Sequence, residues 1–245
     1  MLEICCYSAD DVYHAAEGGA HRVELCSGYA VGGTTPSLGV LQLAKTIVNI
    51  PIYVMILPRG GNFTYSQNEK KVMLKDAALC IENNADGIVF GALNQDGTLD
   101  EEFCKQMKGL CAGLPISFHR AIDLCANPKY ALAFLSDLGV QTILTSGAES
   151  TALQGIEQIK TWHEMANASL QIMAGAGVNS DNILQFAKMG LTHFHSSASH
   201  IIGHGNMNDK IAFNASLKNH EISVVSKAKV EAMVEQLNSF FISRC

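Results

Sequence analysis

The segment RVELC, residues 22–26, combines reactive side chains with the spacing of a β-strand. Side chains alternate between the two faces of a strand, so Arg22, Glu24 and Cys26 share one face and two apolar residues share the other. A guanidinium, a carboxylate and a thiol on one face can bind an anion, transfer a proton or ligate a metal. We therefore expect this face to line something other than ordinary apolar core.

A second thiol, Cys5, lies in the segment LEICCY, where it shares a face with Glu3. Adjacent strands of a sheet lie about 4.8 Å apart, so Cys5 and Cys26 could share one ion if their segments pair. Two thiolates with few other ligands favour a soft ion such as Cu(I). On spacing alone, two reduced thiols that bind nothing are the more common arrangement, and both interpretations stay open.

Other polar residues lie at the ends of further apolar segments. His119 could act with Glu24 in acid–base chemistry, because an imidazole titrates near neutral pH. Arginine side chains and the backbone N–H groups of glycine- and serine-containing loops bind phosphate and other anions. On this basis the candidate anion-binding residues are Arg59, Arg120, Ser146, Gly175, Gly177, His195, Ser196 and Ser197.

These residues also have purely structural interpretations. A buried guanidinium and a buried carboxylate, such as those of Arg22 and Glu3, can satisfy each other without any chemistry. The pair Gly175 and Gly177 also fits a short turn between a strand and a helix.

The elements that must position these residues alternate regularly along the chain. Eight short apolar or β-branched segments are predicted strands, and amphipathic helical patterns separate them. A doubly wound sheet shows the same alternation, but eight units and the polar residues that recur inside the strands favour a closed barrel. We predict an α/β fold, a (β/α)8 barrel of the TIM type, with a single domain over residues 1–245. The strand segments are LEICCY, RVELC, IYVMIL, GIVFG, ISFHR, TILTS, QIMAG and HFHSS.

The pattern breaks near the carboxyl end of the sequence. Residues from about 200 to 220 are predicted to form a long loop, and residues from about 226 to 241 a C-terminal helix. His200 and His204 fall in that loop. A solvated loop is favoured there over a metal-binding tract, and no role is assigned to either histidine.

Composition narrows the classes of function. The 245-residue chain carries a net charge of −6, which argues against nucleic acid or an anionic membrane as a partner. Its first residues do not form a signal-peptide pattern, and its most apolar stretch is too short for a membrane span. We expect a cytoplasmic protein whose eight cysteines do not form a disulfide framework.

Several motifs between residues 2 and 199, taken in order, resemble the CutC family of copper homeostasis proteins. The motifs are LEICCYS, GGAHRVELCSG, GGTTPSLGVL, PRGGNFTYS, FHRAID, IMAGAGV and HSSAS. The resemblance implies a TIM-type barrel, a cytosolic location, a homodimer or higher homo-oligomer, and a role in copper handling. It also implies that Cys5 and Cys26 are the copper-binding positions.

Three functions follow from these observations. The first is a copper-homeostasis protein that binds Cu(I) through Cys5 and Cys26 at the barrel mouth. The second is a TIM-barrel enzyme that acts on a small anionic or phosphorylated metabolite, with Glu24 and His119 as acid–base groups and no nucleotide cofactor. The third is a structural oligomer whose polar interior only stabilises the barrel.

Overall fold

A computed structural model describes residues 1–167, 169–203 and 221–243 of the chain. Eight parallel strands close into a barrel in sequence order, and the eighth strand pairs with the first. This confirms the predicted TIM-type fold. The strands are β1 (Leu2–Cys6), β2 (Arg22–Leu25), β3 (Ile52–Met55), β4 (Gly87–Phe90), β5 (Ile116–Phe118), β6 (Thr142–Thr145), β7 (Gln171–Ala174) and β8 (His193–Ser196).

Helices follow the strands and cover the outside of the barrel. They are α1 (Ala9–Glu17), α2 (Leu38–Ile47), α3 (Gln67–Glu82), α4 (Glu101–Cys111), α5 (Pro128–Asp137), α6 (Ile156–Met165), α7 (Ile183–Lys188) and α8 (Lys227–Ile242). None of the helices in the described part of the chain combines the length and the apolar character that crossing a bilayer requires.

Several helices begin where the sequence supplies a cap. At the start of α3, Ser66 accepts a hydrogen bond from the Glu69 N–H, and the Glu69 carboxylate accepts one from the Ser66 N–H. This reciprocal capping box satisfies backbone groups that a helix end leaves open. Asn127 caps α5, and Pro128 takes the first helical position, where its missing N–H costs nothing.

Both faces of the barrel strands are buried, as in other parallel sheets. Ile4 and Val23 face the outer helices and belong to the main apolar core. The inner face carries Glu3, Arg22 and Glu24, each almost fully buried. TIM-barrel interiors are mostly filled by branched apolar residues, so these charged groups need partners inside the barrel.

The segment after β8 differs from the expected loop. Residues Ser199–Gly203 form β9, which pairs antiparallel with β10 (Glu221–Val225). The pairing joins positions that lie far apart in the sequence, so local periodicity gives no sign of it. His200 is an exposed residue of β9, whereas His204 and the rest of the expected loop, 204–220, lie outside the described residues.

A hydrogen bond from β10 attaches this ribbon to helix α1. The Val225 N–H donates to the Asp11 carboxylate at 2.7 Å, and Asp11 lies in α1. Ser226 then caps α8, whose bounds lie within one residue of the predicted helix. The C-terminal elements are therefore anchored beside the start of the barrel.

Candidate functional site

The thiol pair lies at the carboxyl end of β1 and just beyond β2. The strand register places Cys5 opposite Glu24, so Cys26 lies further along its strand than Cys5 does. The two side chains nevertheless meet on the diagonal, with their Sγ atoms 3.9 Å apart. Both are buried, and the Cys26 Sγ lies 3.6 Å from Glu24 Oε2.

The contact between the two thiols makes them electrostatically unequal. A hydrogen bond from Cys26, opposed by burial and supported by His195, lowers the pKa of Cys5 well below its usual value. The same hydrogen bond, together with burial, raises the pKa of Cys26. The pair therefore favours one thiolate that accepts from one thiol.

Below the thiols, Glu3 is the centre of a buried ion-pair cluster, which we define as Glu3, Arg22 and His195. Glu3 accepts from Arg22 Nε at 2.5 Å and contacts His195 Nδ1 at 2.8 Å. The Arg22 guanidinium also lies over the Tyr53 ring, 3.9 Å from its centroid. Although burial opposes ionisation, Arg22 and His195 lower the pKa of Glu3 to about 2. Its charge is thus fully compensated inside the barrel.

Glu24 is less well compensated. Burial raises the pKa of Glu24 to about 8, although His195, whose Nε2 lies 3.8 Å from Glu24 Oε2, opposes the rise. Burial lowers the pKa of His195, but Glu24, Cys5 and Glu3 together raise it well above its usual value. Glu24 Oε1 has no hydrogen-bond partner among the described residues.

A cavity of about 260 Å³ opens above these groups at the carboxyl end of the barrel. Cys5, Glu24 and His195 line it together with His119 and Arg120, which come from the segment after β5. Its apolar wall was not anticipated from the sequence, because apolar residues at strand ends resemble ordinary core. The wall consists of Tyr7, Met55, Leu57, Phe63 and Leu144.

His119 is held by its backbone neighbours and by packing. Its Nδ1 accepts a hydrogen bond from the Ala121 N–H at 3.1 Å, and its ring lies 4.6 Å from the Phe63 ring between centroids. Gly91, the residue after β4, leaves the room for this ring, since a Cβ there would lie 2.5 Å from His119 Cε1. Nε2 of His119 is buried without a partner in the described structure.

Arg120 is fixed at the rim of the cavity. Its Nε donates to Asp123 at 2.9 Å, and its Nη2 donates to the Ser146 hydroxyl at 2.7 Å. Ser146 itself is buried and does not line the cavity. The structure therefore places Ser146 as a residue that positions Arg120, rather than as a direct anion contact.

Arg59 does not reach the cavity. Its guanidinium donates to Glu69 at 2.6 Å and to the backbone oxygens of Asn62 and Thr64 at 2.9 Å each. The capping glutamate of α3 thus draws the side chain away from the mouth. The predicted anion-binding role of Arg59 has no support in this geometry.

The loops after β7 and β8 contribute to the rim unequally. Gly177, Ser196 and Ser197 line the cavity, whereas Gly175 does not. A Cβ at Gly175 would collide with Leu144, so this glycine makes room for the apolar wall. The Ser196 hydroxyl donates to the Val178 carbonyl at 2.6 Å, which fixes the turn.

The donor set fits a soft metal ion. One donor atom from each of Cys5, Glu24 and Cys26 lies within 4.8 Å of the others. Two metal–sulfur bonds of about 2.3 Å span at most about 4.6 Å, and the observed sulfur separation of 3.9 Å falls inside that limit. A second possible group, of Glu3, Glu24 and His195, uses a carboxylate already committed to Arg22.

Known proteins are similar to this chain in sequence and in fold. The chain matches the sequence profile of the CutC family over residues 1–200. A copper homeostasis protein cutC homolog from Mus musculus is 44% identical over 227 residues, which covers 91% of this chain and 84% of that protein. A family protein CutC from Bacteroides fragilis is 39% identical over 245 residues, covering 98% of each chain.

A solved structure of CutC from Streptococcus agalactiae has a TM-score of 0.77 to this chain at 34% sequence identity. The match covers 80% of this chain and 98% of that one. The profile match confirms the family that the motifs predicted, and the structural match agrees with the barrel. The chain belongs to the CutC family, whose named members include copper homeostasis proteins.

Proposed function

We propose that the protein takes part in copper handling by binding Cu(I) as cargo between Cys5 and Cys26. The observation that carries this proposal is the pair of buried sulfur atoms, 3.9 Å apart at the floor of the mouth cavity. Soft thiolates select Cu(I) over harder divalent ions. The names of the mouse and bacterial relatives support a copper-related role.

The surroundings of the pair suit a reversible site. Cys5 lines the cavity and is 8% exposed, whereas Cys26 lies behind it at 1%. An ion would therefore meet Cys5 first, whose lowered pKa favours the thiolate. Cys26 must lose its proton to become a ligand, so binding is coupled to proton release.

The test is a competition titration of Cu(I) against a chromogenic chelator under reducing, anaerobic conditions. We expect about one ion per chain for the natural sequence and loss of that binding in the Cys5→Ser/Cys26→Ser variant. The matched control is Cys80→Ala/Cys111→Ala, which removes two buried thiols from α3 and α4. Binding that survives the first double variant, or is absent from the natural protein, would refute the site.

We further propose the cytoplasm as its location, because this site requires thiols that stay reduced. The homodimer or larger homo-oligomer that the family resemblance implies is proposed as well. Light scattering on the purified protein measures the oligomeric state directly. A monomer at all concentrations would contradict this proposal.

A further inference from the structure

Two buried polar atoms beside the cavity lack a partner among the described residues: Glu24 Oε1 and His119 Nε2. Each side chain is only 3% exposed, and both line the cavity, Glu24 from β2 and His119 from the segment after β5. Leaving a buried polar atom unpaired is costly, so such atoms normally have partners. Two of them at one cavity indicate that a ligand supplies the missing hydrogen bonds.

The hydrogen-bonding role of His119 is fixed by its other nitrogen. Nδ1 accepts the Ala121 N–H, so the ring carries its proton on Nε2. Burial also lowers the pKa of His119 to about 4, which keeps the ring neutral near pH 7. His119 therefore offers an N–H donor, and the ligand must present an acceptor oxygen to it.

Arg120 adds a positive charge at the rim. Asp123 and Ser146 hold its Nε and Nη2, and its Nη1 makes no hydrogen bond within the part of the chain described. A guanidinium fixed in this way has lost its side-chain freedom before binding and prefers an oxyanion. A copper ion cannot use this group, because both are positively charged.

The cavity sets the size of the ligand. Its volume of about 260 Å³ is near the lower end of the roughly 300–1,000 Å³ typical of small-molecule pockets. Leu57, Phe63 and Leu144 form an apolar wall against which a short carbon skeleton can pack. The space thus suits a small metabolite.

We propose that this cavity is a binding site for a small organic oxyanion, a carboxylate or phosphate monoester, that also carries a hydroxyl group. The hydroxyl oxygen accepts from His119 Nε2, a hydroxyl group pairs with Glu24 Oε1, and the oxyanion contacts Arg120. This site is distinct from the proposed copper site. If the protein is an enzyme, as the second function predicted from the sequence holds, its substrate would be a hydroxylated anion. The site needs no metal.

The test uses calorimetric titration in buffer freed of metal by a chelator. The probes are glycerate and glycerol 3-phosphate, which differ in the anion but share hydroxyl groups. Propionate, which lacks the hydroxyl, and glycerol, which lacks the anion, are the controls. We expect at least one probe to bind about tenfold more tightly than either control, the ratio for one lost hydrogen bond or charge contact. The probe that binds more tightly shows whether the site prefers a carboxylate or a phosphate monoester.

Variants assign the contacts. His119→Leu should weaken probe binding about tenfold, while His119→Gln, which keeps a donor, should retain part of it. Arg120→Gln should weaken it tenfold or more, as expected for a charge-assisted hydrogen bond. Arg59→Gln is the matched control, because the Arg59 guanidinium is bound to Glu69 outside the cavity. The affinity of this variant for the probe should equal that of the natural protein. Thermal unfolding without probe shows whether each variant folds.

The outcomes separate this proposal from the copper site. Cys5→Ser/Cys26→Ser should lose Cu(I) but keep probe binding. Probe binding equal in the natural protein, His119→Leu and Arg120→Gln would overturn the proposal, and so would the absence of binding by both probes. Neither result would affect the copper titration.

Discussion

The barrel interior contains two clusters of buried polar groups that the same strands position but that differ in pairing. In the ion-pair cluster, Glu3, Arg22 and His195 satisfy one another at 2.5–2.8 Å. In the cavity cluster, which we define as Cys5, Glu24 and His119, one oxygen and one nitrogen have no partner in the described structure. Glu3 and Arg22 in the first cluster and Glu24 and His119 in the second are all buried, so partners rather than depth distinguish the two clusters.

The difference indicates separate roles. Removing one partner of a buried ion pair leaves the other charge uncompensated. A buried polar atom that faces a cavity is available to a ligand. We therefore expect substitutions in the ion-pair cluster to lower stability, and substitutions in the cavity cluster to alter binding more than stability.

The largest effect is expected for Arg22→Met. It leaves the Glu3 carboxylate buried beside His195 alone, and breaking a buried ion pair in this way costs about 3–5 kcal/mol. The free energy of unfolding from denaturant titration measures the loss. The Glu3→Met/Arg22→Met variant, which buries no unpaired carboxylate, should lose less. If the double variant were the less stable of the two, the ion pair would not be the source of the effect.

A smaller effect should follow from filling the space beside His119. Gly91→Ala places a methyl group 2.5 Å from His119 Cε1 and 2.9 Å from Ala121 Cβ, and such overpacking costs about 1–3 kcal/mol. It should also displace the ring and weaken binding of the probe anion. Gly109→Ala in α4 has nothing within 4 Å of its new methyl group and should raise stability by up to about 1 kcal/mol.

Unchanged stability and unchanged probe affinity in Gly91→Ala would show that the ring is not confined as described. Denaturant unfolding and calorimetry on the same two variants give both quantities.

The smallest effect concerns pH. Burial lowers the pKa of His119 from 6.5 to about 4. Between these two pH values the unfolded chain therefore binds a proton at His119 that the folded chain does not bind. The contribution of His119 to the free energy of unfolding is thus fully present above pH 6.5 and decreases as the pH drops towards 4. Between pH 7 and about pH 5.5 the loss is about 1 kcal/mol. The difference in unfolding free energy between these pH values should shrink by that amount in His119→Gln; an identical difference would mean that His119 titrates normally.

Much of this architecture follows from the sequence through simple periodicity. Alternation at every second residue places Glu3 and Cys5, and likewise Arg22 and Glu24, on the inner faces of their strands. Closure of eight strands then brings His195 beside them, because β8 pairs with β1. The predicted convergence of these residues needed only the strand pattern and the barrel.

Other features depend on contacts that periodicity does not encode. Arg59 follows β3 as an anion-binding residue would, but Glu69 and loop carbonyls set its direction. The strand Ser199–Gly203 has a partner beyond residue 220, so its pairing has no local signature. The diagonal contact of Cys5 with Cys26 depends on the stagger of neighbouring strands, which side-chain type does not report.

The pairing of β8 with β1 also has a consequence for how the protein is made. The Glu3 carboxylate and the His195 imidazole are 192 residues apart in the chain. At a synthesis rate of 5–20 residues per second, the ribosome needs about 10–40 s to travel from one to the other. Through that interval Glu3, and Cys5 beside it, lack the His195 imidazole, which has not yet been synthesised. The polar floor of the barrel is thus one of the last parts of the molecule to be completed.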